Sequence, residues 1–570
     1  MTLQSKRWLI APPVSTQQLA RLADLPPLVV QLLHNRRIVD PGAAHDFLND
    51  RAGGSDPFRL KGMHEAVTRL RRAIRQQESI AVYGDFDTDG VTATALLVET
   101  LSALGAQVQP YIPHRVDEGY GLNLDALRHL YSQGVRLVVT VDCGIRSVHE
   151  VEQAGRGLDL IVTDHHSVGE RLPPALATLN PKQPGCPYPF KDLAGVGLAY
   201  KLAQALLRVE QQMGGPADLA EESLLDLVAL GTVADLAPLL GENRALVRRG
   251  LAQLNQPSRP GVEALLADAN LRRGEVDATA IGFRLGPRLN AAGRIDSAML
   301  AYRLLTSRDP LETRVLAEEL GKLNERRQQL TEQTVAEAEA LVLADPAQGR
   351  DAPLFLAASA NFSPGIVGLA ASRLTEAYYR PSVVVELGEE ESRGSCRSIP
   401  EFNITAALDQ CQELLIRHGG HAAAAGFTVA THELGALRAR LAAIAAEQLA
   451  GVELRPALPI DTELLLEEVD WATLALLGEL EPCGVGNPRP VLVSRDVEVR
   501  DRRAIGGAQK HLKLVLRDGR GVAWDAIFFR HGHLLEHVPG RVDVAYTLDV
   551  NEWNGSKRLQ LQIQDLRAAD

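Results

Sequence analysis

Disulfide chemistry, membrane anchoring and low-complexity composition are all missing from this 570-residue sequence. Its five cysteines, Cys143, Cys186, Cys396, Cys411 and Cys483, are odd in number and scattered, and no C-x-x-C occurs. That pattern argues against a disulfide framework or a zinc ribbon and reads as reduced thiols with packing roles. No uninterrupted apolar run approaches the ~20 residues needed to cross a bilayer. The N-terminal string MTLQSKRWLIAPPV lacks the apolar core of a secretory signal. Together these absences lead to the expectation of a soluble, cytoplasmic protein with no membrane partner. Net positive charge is lacking too: the formal charge is −12. That argues mildly against a protein that coats nucleic acid by bulk electrostatics. It does not exclude action on nucleic acid, because carboxylates gathered to hold metal add negative charge at one place.

What is present is ample apolar content, 45% of residues, over a length that suggests three or four domains. The first fifty or so residues read as a helical lead-in. A run of alternating strand and helix patterns follows. Ile80–Tyr83, Val108–Ile112, Leu137–Val141 and Leu160–Thr163 are short apolar strands, and Val91–Leu104 is a helix. Strands buried on both faces belong to parallel sheets covered by helices, so the fold class is α/β. In such sheets, ligands bind beyond the carboxyl ends of the strands. Leu224–Val233 reads as helical. Pro310 opens and Pro346 closes a long charged stretch, either one connecting helix or two helices bent near Gly321. A second, smaller α/β segment runs from about Pro353 to Ala450. From about Leu458 the strings VLVSRDVEV, HLKLVLRD, VAWDAIFF, VDVAYTLDV and RLQLQIQDL are regularly spaced short strands, which predict a small antiparallel barrel.

Four clusters fall where active-site loops are expected. GDFDTDG carries Asp85, Asp87 and Asp89 after the first strand. VDCG carries Asp142, TDHH carries Asp164, His165 and His166, and GTVADL carries Asp235 after the predicted helix. Taken singly, each has an ordinary explanation: a solvated turn, a helix cap, or a structural histidine pair. In combination, three strands deliver carboxylate or imidazole to one end of one sheet. Converging carboxylates repel, and a bound divalent cation removes that repulsion. An oxygen-rich set with imidazole and no thiolate suits Mn2+ or Mg2+. Several carboxylates, one able to bridge, suit a two-metal site with ions about 3.5–4 Å apart, which supports in-line attack of water on phosphorus.

In order, these four clusters resemble the motifs of the DHH phosphoesterase superfamily. The strings PHRVDEGYGL, LNPK, LAGVGLAYKL, LVALGTVADL and GPRLNAAGRID are similar to its branch of single-strand-specific 5′ exonucleases, and the likeness extends from about Asp85 to the C-terminus. The resemblance implies Asp87, Asp89, Asp142, His165 and Asp235 as metal ligands, with Asp142 bridging and also counted as catalytic. It implies that His166 faces the scissile phosphate and stabilises or protonates the leaving oxygen. Asp85 is a ligand or, as favoured here, a partner behind the ligands. Asp164 either orients a histidine ring or caps a turn.

Arg115 in PHR is either a surface arginine or a phosphate grip. GSCRSIPEFN and HGGHAAAAGF resemble the DHHA1 domain. On that resemblance Ser395, Arg397, Gly420 and His421 contact the nucleic-acid backbone near its 5′ end, and Arg288, Asn290 and Arg294 line the same path. The residue-level alternative is that Gly419 and Gly420 make a turn before an alanine-rich packing helix. Cys396 stands where glycine is usual, and Ser363 stands where several relatives carry histidine. The C-terminal barrel resembles an OB-fold, which binds single strands through a basic groove and aromatic stacking. Lys510 and Lys513 are candidate phosphate contacts there, and Trp524, Phe528, Phe529 and Trp553 are the available aromatics.

The expected organisation is a helical lead-in (1–50), a DHH catalytic domain (51–309), a connecting helix (310–345), a DHHA1 domain (346–455) and an OB-like domain (456–570). The implied function is stepwise hydrolysis of single-stranded DNA from the 5′ end to 5′-mononucleotides, in recombination and repair. Single-strand-binding protein and a RecQ-type helicase are the implied partners. Two alternatives stand beside it. One is a DHH phosphoesterase acting on oligoribonucleotides or other small phosphate esters, although such enzymes generally stop after the second domain. The other is a replication scaffold without catalysis, which predicts missing ligands.

Overall fold

The computed structural model describes residues 6–49, 54–115, 117–154, 157–214, 219–345, 348–553 and 555–569. Pro346 and the side chain of Trp553 lie outside the described residues. Two compact units emerge. One holds Gly54–Ala237 and Leu246–Leu454, and the other holds the described residues of Met1–Gly53, Pro238–Ala245 and Arg455–Asp570.

In the first unit the β-branched runs form one all-parallel sheet. Its strands are β1 (Ser79–Gly84), β2 (Gln107–Tyr111), β3 (Val135–Val141), β4 (Asp159–Thr163) and β5 (Ala177–Leu179), in the order β2-β1-β3-β4-β5. Strands β1, β3 and β4 are adjacent, so the loops at their carboxyl ends share one edge. Helix α1 (Thr88–Ala103) starts directly after β1, because the Asp87 carboxylate accepts from the backbone N–H groups of Asp89 and Gly90 (3.0 and 3.1 Å). Helices α2 (Gly195–Gln212) and α3 (Leu225–Ala234) pack against α1. Leu225 to Val233 are buried without a break, as a helix apolar on all sides requires.

A π-helical turn, Ile281–Leu285, leads into α4 (Gly286–Ile295). Helix α5 (Pro310–Ala344) is one continuous element through Gly321, which decides between the one-helix and two-helix readings. Asp309 caps its first turn through Leu311 N at 2.9 Å. At 1.5 Å per residue it runs about 52 Å. Leu316, Ala317 and Leu320 are buried along its first half. In its second half Ala338 and Val342 enter the core of the second α/β segment with Phe355, Phe362 and Leu374.

That segment has a mixed sheet of β6 (Phe355–Ser359), β7 (Ser382–Glu386), β8 (Glu391–Arg397), β9 (Leu415–His421) and β10 (Ala424–Ala430), ordered β9-β10-β8-β7-β6. Helix α6 (Val367–Tyr378) joins β6 to β7. The alanine-rich string after Gly420 is a strand, not a helix. Ala424 to Ala430 pair antiparallel with both β9 and β8, and sheet pairing on both sides outweighs the helical preference of alanine.

The second unit is built on a closed barrel. Strands β11 (Leu492–Ile505), β12 (His511–Arg517), β13 (Ala523–Phe528), β14 (Arg541–Trp553) and β15 (Ser556–Ala568) run β11-β12-β13-β15-β14, and β11–β14 pairing closes the ring. Alternation drives the closure: Leu512, Leu514 and Leu516 point inward with Trp524, Phe528, Val544 and Leu561. The lead-in is only partly helical and is not separate. Arg7–Ile10 pairs in parallel with Ala457–Ile460, and the Trp8 indole N–H donates to the Asp565 carboxylate at 2.7 Å. Arg244, from Pro238–Ala245, lies over the Phe47 ring and donates to the carbonyls of Leu480 and Glu481 (2.7 and 2.8 Å). The described residues near the two termini and this short internal segment therefore build one body. Among the described residues no helix is long and apolar enough to cross a membrane.

Candidate metal centre and phosphate-binding face

The four clusters meet. His165 Nε2 lies 3.1 Å from Asp142 Oδ1, 3.8 Å from Asp235 Oδ2 and 4.0 Å from Asp89 Oδ2. Three sets of side chains can each bring ligand atoms within 4.8 Å of one another: Asp142 with His165 and His166, Asp89 with His165 and Asp235, and Asp85 with Asp87 and Asp142. Asp142 belongs to two of the sets, the position a bridging carboxylate would hold. Asp85, read as standing behind the ligands, sits among them in geometry.

The site fits a cation on its own chemistry. Asp85 Oδ1, Asp142 Oδ1 and His165 Nε2 are buried and lack a hydrogen-bond partner among the described residues. Buried polar atoms are rarely left so. Burial and the neighbouring carboxylates push the aspartates toward their neutral forms: Asp89 up to about 7, Asp235 up to about 9, and Asp85 and Asp142 well above the usual range. Burial and the adjacent His166 push His165 down to about 3, which leaves its ring neutral as a metal ligand must be.

Backbone geometry aims these groups. Asp142 adopts φ 61°, a left-handed conformation uncommon for a non-glycine residue. The N-terminus of α2 comes up against the acids: Gly195 N and Val196 N donate to the Asp89 carboxylate at 2.7 and 2.8 Å. A Cβ at Gly195 would fall 2.7 Å from Asp142 Cβ, so only glycine permits this approach. Asp164 holds the ring of His166, not that of His165. Its Oδ1 is 2.8 Å from His166 Nδ1 and accepts from His166 N at 3.0 Å, while Oδ2 accepts from Ile145 N at 2.9 Å. Burial disfavours charge on His166, but the Asp164 hydrogen bond outweighs it and raises the ring's pKa. The LNPK string, given no role from sequence, ties down the histidine loop: Asn180 donates to His166 O (2.9 Å) and Lys182 to His165 O (2.7 Å).

A second cluster is cationic. Arg115 lies 4.2 Å over the Phe86 ring. Burial lowers its pKa against the pull of Asp85 and Asp87. Arg294 donates to Gly365 O at 3.2 Å. Burial, Arg115 and Arg327 together push it down to about 10, with Arg397 adding to the effect. Arg327, on α5, was not singled out from sequence. Burial and Arg373 lower its pKa, and its Nε is buried without a hydrogen-bond partner among the described residues. Ser395 and Arg397 lie on one face of β8, with Arg397 donating to Ser395 Oγ at 3.2 Å. A Cβ at Gly368, in the first turn of α6, would fall 3.0 Å from Ser395 Oγ and 3.2 Å from Arg397 Nη2, so that helix start abuts the pair. Arg397, Ala424 and His421 share one rung across β8, β10 and β9. That rung puts His421 about 10 Å from Arg397 on the same face. Gly420 lies on the next rung, opposite Ala425 and Cys396.

Two residues named with this path turn elsewhere. Arg288 pairs with Asp268 at 2.7 Å, and Asn290 accepts from Thr88 N at 2.9 Å, fastening α4 to the start of α1. Cys396 points into the core opposite Ser395 and Arg397, where burial pushes its thiol up to about 12. In the barrel Trp524 and Phe528 are core residues and Phe529 is exposed. Lys510 is exposed, while Lys513 pairs with Asp525 at 3.2 Å.

A parallel sheet with acid and imidazole loops at one edge, joined by a long helix to a mixed sheet, is the architecture of DHH–DHHA1 proteins. Models of the DHH family N-terminal domain, the DHHA1 domain and the RecJ OB domain match residues 79–232, 351–447 and 460–565. The single-stranded-DNA-specific exonuclease RecJ of Bacillus subtilis is 40% identical, over 100% of this chain and 72% of its own length. The Thermus thermophilus protein of the same name is 39% identical over 89% and 71%. The chain belongs to the RecJ family. In three dimensions it is similar to the crystal structure of T. thermophilus RecJ in complex with Mn2+, with a TM-score of 0.83 and 33% identity over 99% of this chain and 80% of that one. A Mg2+ complex of the same protein gives a TM-score of 0.78.

Proposed function

We propose that this chain is a metal-dependent exonuclease that hydrolyses single-stranded DNA from its 5′ end to 5′-mononucleotides, in recombination and repair. One observation carries the reading. Carboxylates and an imidazole from three strand ends and one helix end converge, and several of their buried atoms have no hydrogen-bond partner among the described residues. Asp87, Asp89, Asp142, His165 and Asp235 would hold two ions of Mn2+ or Mg2+, with Asp142 shared and Asp85 beside them. Such ions supply an activated water and neutralise charge on the phosphoryl oxygens.

The chain's own groups do the rest. Asp164 fixes the His166 ring through Nδ1, which leaves Nε2 to stabilise or protonate the leaving oxygen. Arg294 is crowded by Arg115, Arg327 and Arg397, and burial disfavours the charge on Arg115 and Arg397 as well, so a phosphate would relieve all three. With Ser395 they hold the strand near its 5′ end; His421 extends that face, and Gly420, on the neighbouring rung, adds backbone beside it. The barrel adds single-strand binding through its own face, with Lys510 open to solvent. Single-strand-binding protein and a RecQ-type helicase are the proposed partners, and the cytoplasm the proposed place of action.

A single strand labelled at one end tests activity, direction and end recognition together, with 5′-phosphate and 5′-hydroxyl forms compared. A 5′ label appearing at once as mononucleotide supports the reading. Loss from the 3′ end, or preference for dinucleotides offered alongside, overturns it.

A further inference from the structure

Tyr120 has no part in the reading above, yet it touches two of the groups that reading depends on. It sits in the loop after β2, between Gly119 and Gly121, both at positive φ (79° and 94°). The loop is anchored by Tyr83, whose hydroxyl donates to Gly121 O at 3.1 Å. The Tyr120 hydroxyl lies 3.2 Å from Asp142 O and 3.1 Å from His166 Nδ1. Its ring meets the His166 ring edge-on, with centroids 5.7 Å apart. The residue nevertheless remains 55% exposed.

One arrangement of protons satisfies all these contacts. His166 Nδ1–H donates to Asp164 Oδ1 at 2.8 Å, the shortest of its contacts, and the Tyr120 hydroxyl oxygen shares that proton. The Tyr120 O–H donates to the Asp142 carbonyl. The hydroxyl thereby links the left-handed backbone of Asp142 to the His166 ring, two groups that arrive on different strands. Nε2 takes part in none of these bonds and stays available.

We infer that Tyr120 is a positioning residue whose hydroxyl holds Asp142 and His166 in register, while its exposed ring seats the nucleobase beside the scissile phosphate. The second half rests on the nuclease reading; the first does not. Partners behind metal ligands typically change metal affinity or activity about 10–100-fold when removed. A base stacked on an aromatic ring is worth about tenfold or more in binding.

Tyr120→Phe and Tyr120→Leu separate the two roles. For Tyr120→Phe, calorimetry with Mn2+ alone is expected to give about tenfold weaker binding, with unchanged melting temperature and oligonucleotide binding, and kcat lower by about tenfold at constant KM. For Tyr120→Leu, equilibrium binding of a fluorescent single-stranded oligonucleotide is expected to fall a further tenfold or so. Parent-like Mn2+ affinity and kcat in Tyr120→Phe would overturn the positioning role. Oligonucleotide binding by Tyr120→Leu equal to that of Tyr120→Phe would overturn the base seat. A parent that binds strands but leaves them intact defeats the nuclease reading alone, because the Mn2+ and oligonucleotide measurements need no turnover.

Discussion

Two clusters of like charge sit in the same unit, and they mirror each other. Around Asp142, carboxylates crowd until burial and repulsion push them toward neutrality. Around Arg294, guanidinium groups crowd until burial and repulsion push that arginine down to about 10. Both clusters hold buried polar atoms with no hydrogen-bond partner among the described residues: Asp142 Oδ1 and His165 Nε2 in one, Arg115 Nε and Arg327 Nε in the other. A buried arginine outside both clusters shows the contrast: Arg259 is paired with Asp226 and Glu99 (2.9 and 2.8 Å). The difference teaches where ligands belong. On the proposed function, a cation would complete the first cluster and a phosphate the second.

Breaking the acidic cluster has the largest effect. Asp142→Ala or His165→Ala is expected to lower hydrolysis of a single strand by at least about a thousandfold while circular dichroism stays native. Full activity in either variant would rule out the site. Breaking the cationic cluster does less. Arg294→Ala or Arg397→Ala should reduce kcat/KM by about 10–100-fold, chiefly through KM, with Mn2+ binding unchanged.

A pH series sharpens the comparison further. In the metal-free protein the folded state keeps the protons of Asp89 and Asp235 to about 7 and about 9, while the unfolded chain releases them near 3.8. The folded state therefore holds more protons in that window, and its stability falls as pH rises through it. Mn2+ relieves the same repulsion. Its stabilising shift in melting temperature should thus grow between about pH 5 and about pH 8; a shift that shrinks would be the wrong sign. The smallest effect is expected at Cys396, which faces the core behind Ser395 and Arg397. Cys396→Ala should cost about 1–2 kcal/mol in denaturant unfolding and leave activity within about twofold.

The acidic cluster was the more legible of the two. Asp85, Asp87, Asp142, Asp164 and His165 each follow a β-branched run at once, so strand pattern alone places them at one sheet edge. The geometry of Asp142, with its left-handed backbone and the approach of Gly195, depends on a helix more than fifty residues later and cannot be read locally. The cationic cluster was half visible. Arg294 and Arg397 stood in recognisable strings, but Arg327 lies in NERRQQL, where an arginine on a charged helix looks like any solvated residue. Long-range pairing hid the rest: Arg7–Ile10 finds its partner at Ala457–Ile460, and the alanines after His421 become a strand only because two neighbours pair with them. Period-2 alternation did reveal the five barrel strands, although it could not say that Trp524 and Phe528 turn inward and Phe529 outward.

Counting ions tests the account most directly. Titration of the metal-free chain with Mn2+, followed by calorimetry, should show two ions bound per chain, falling to one or none in Asp142→Ala because that carboxylate would serve both. Two ions bound by Asp142→Ala with parent affinity, or none bound by the parent, would contradict it.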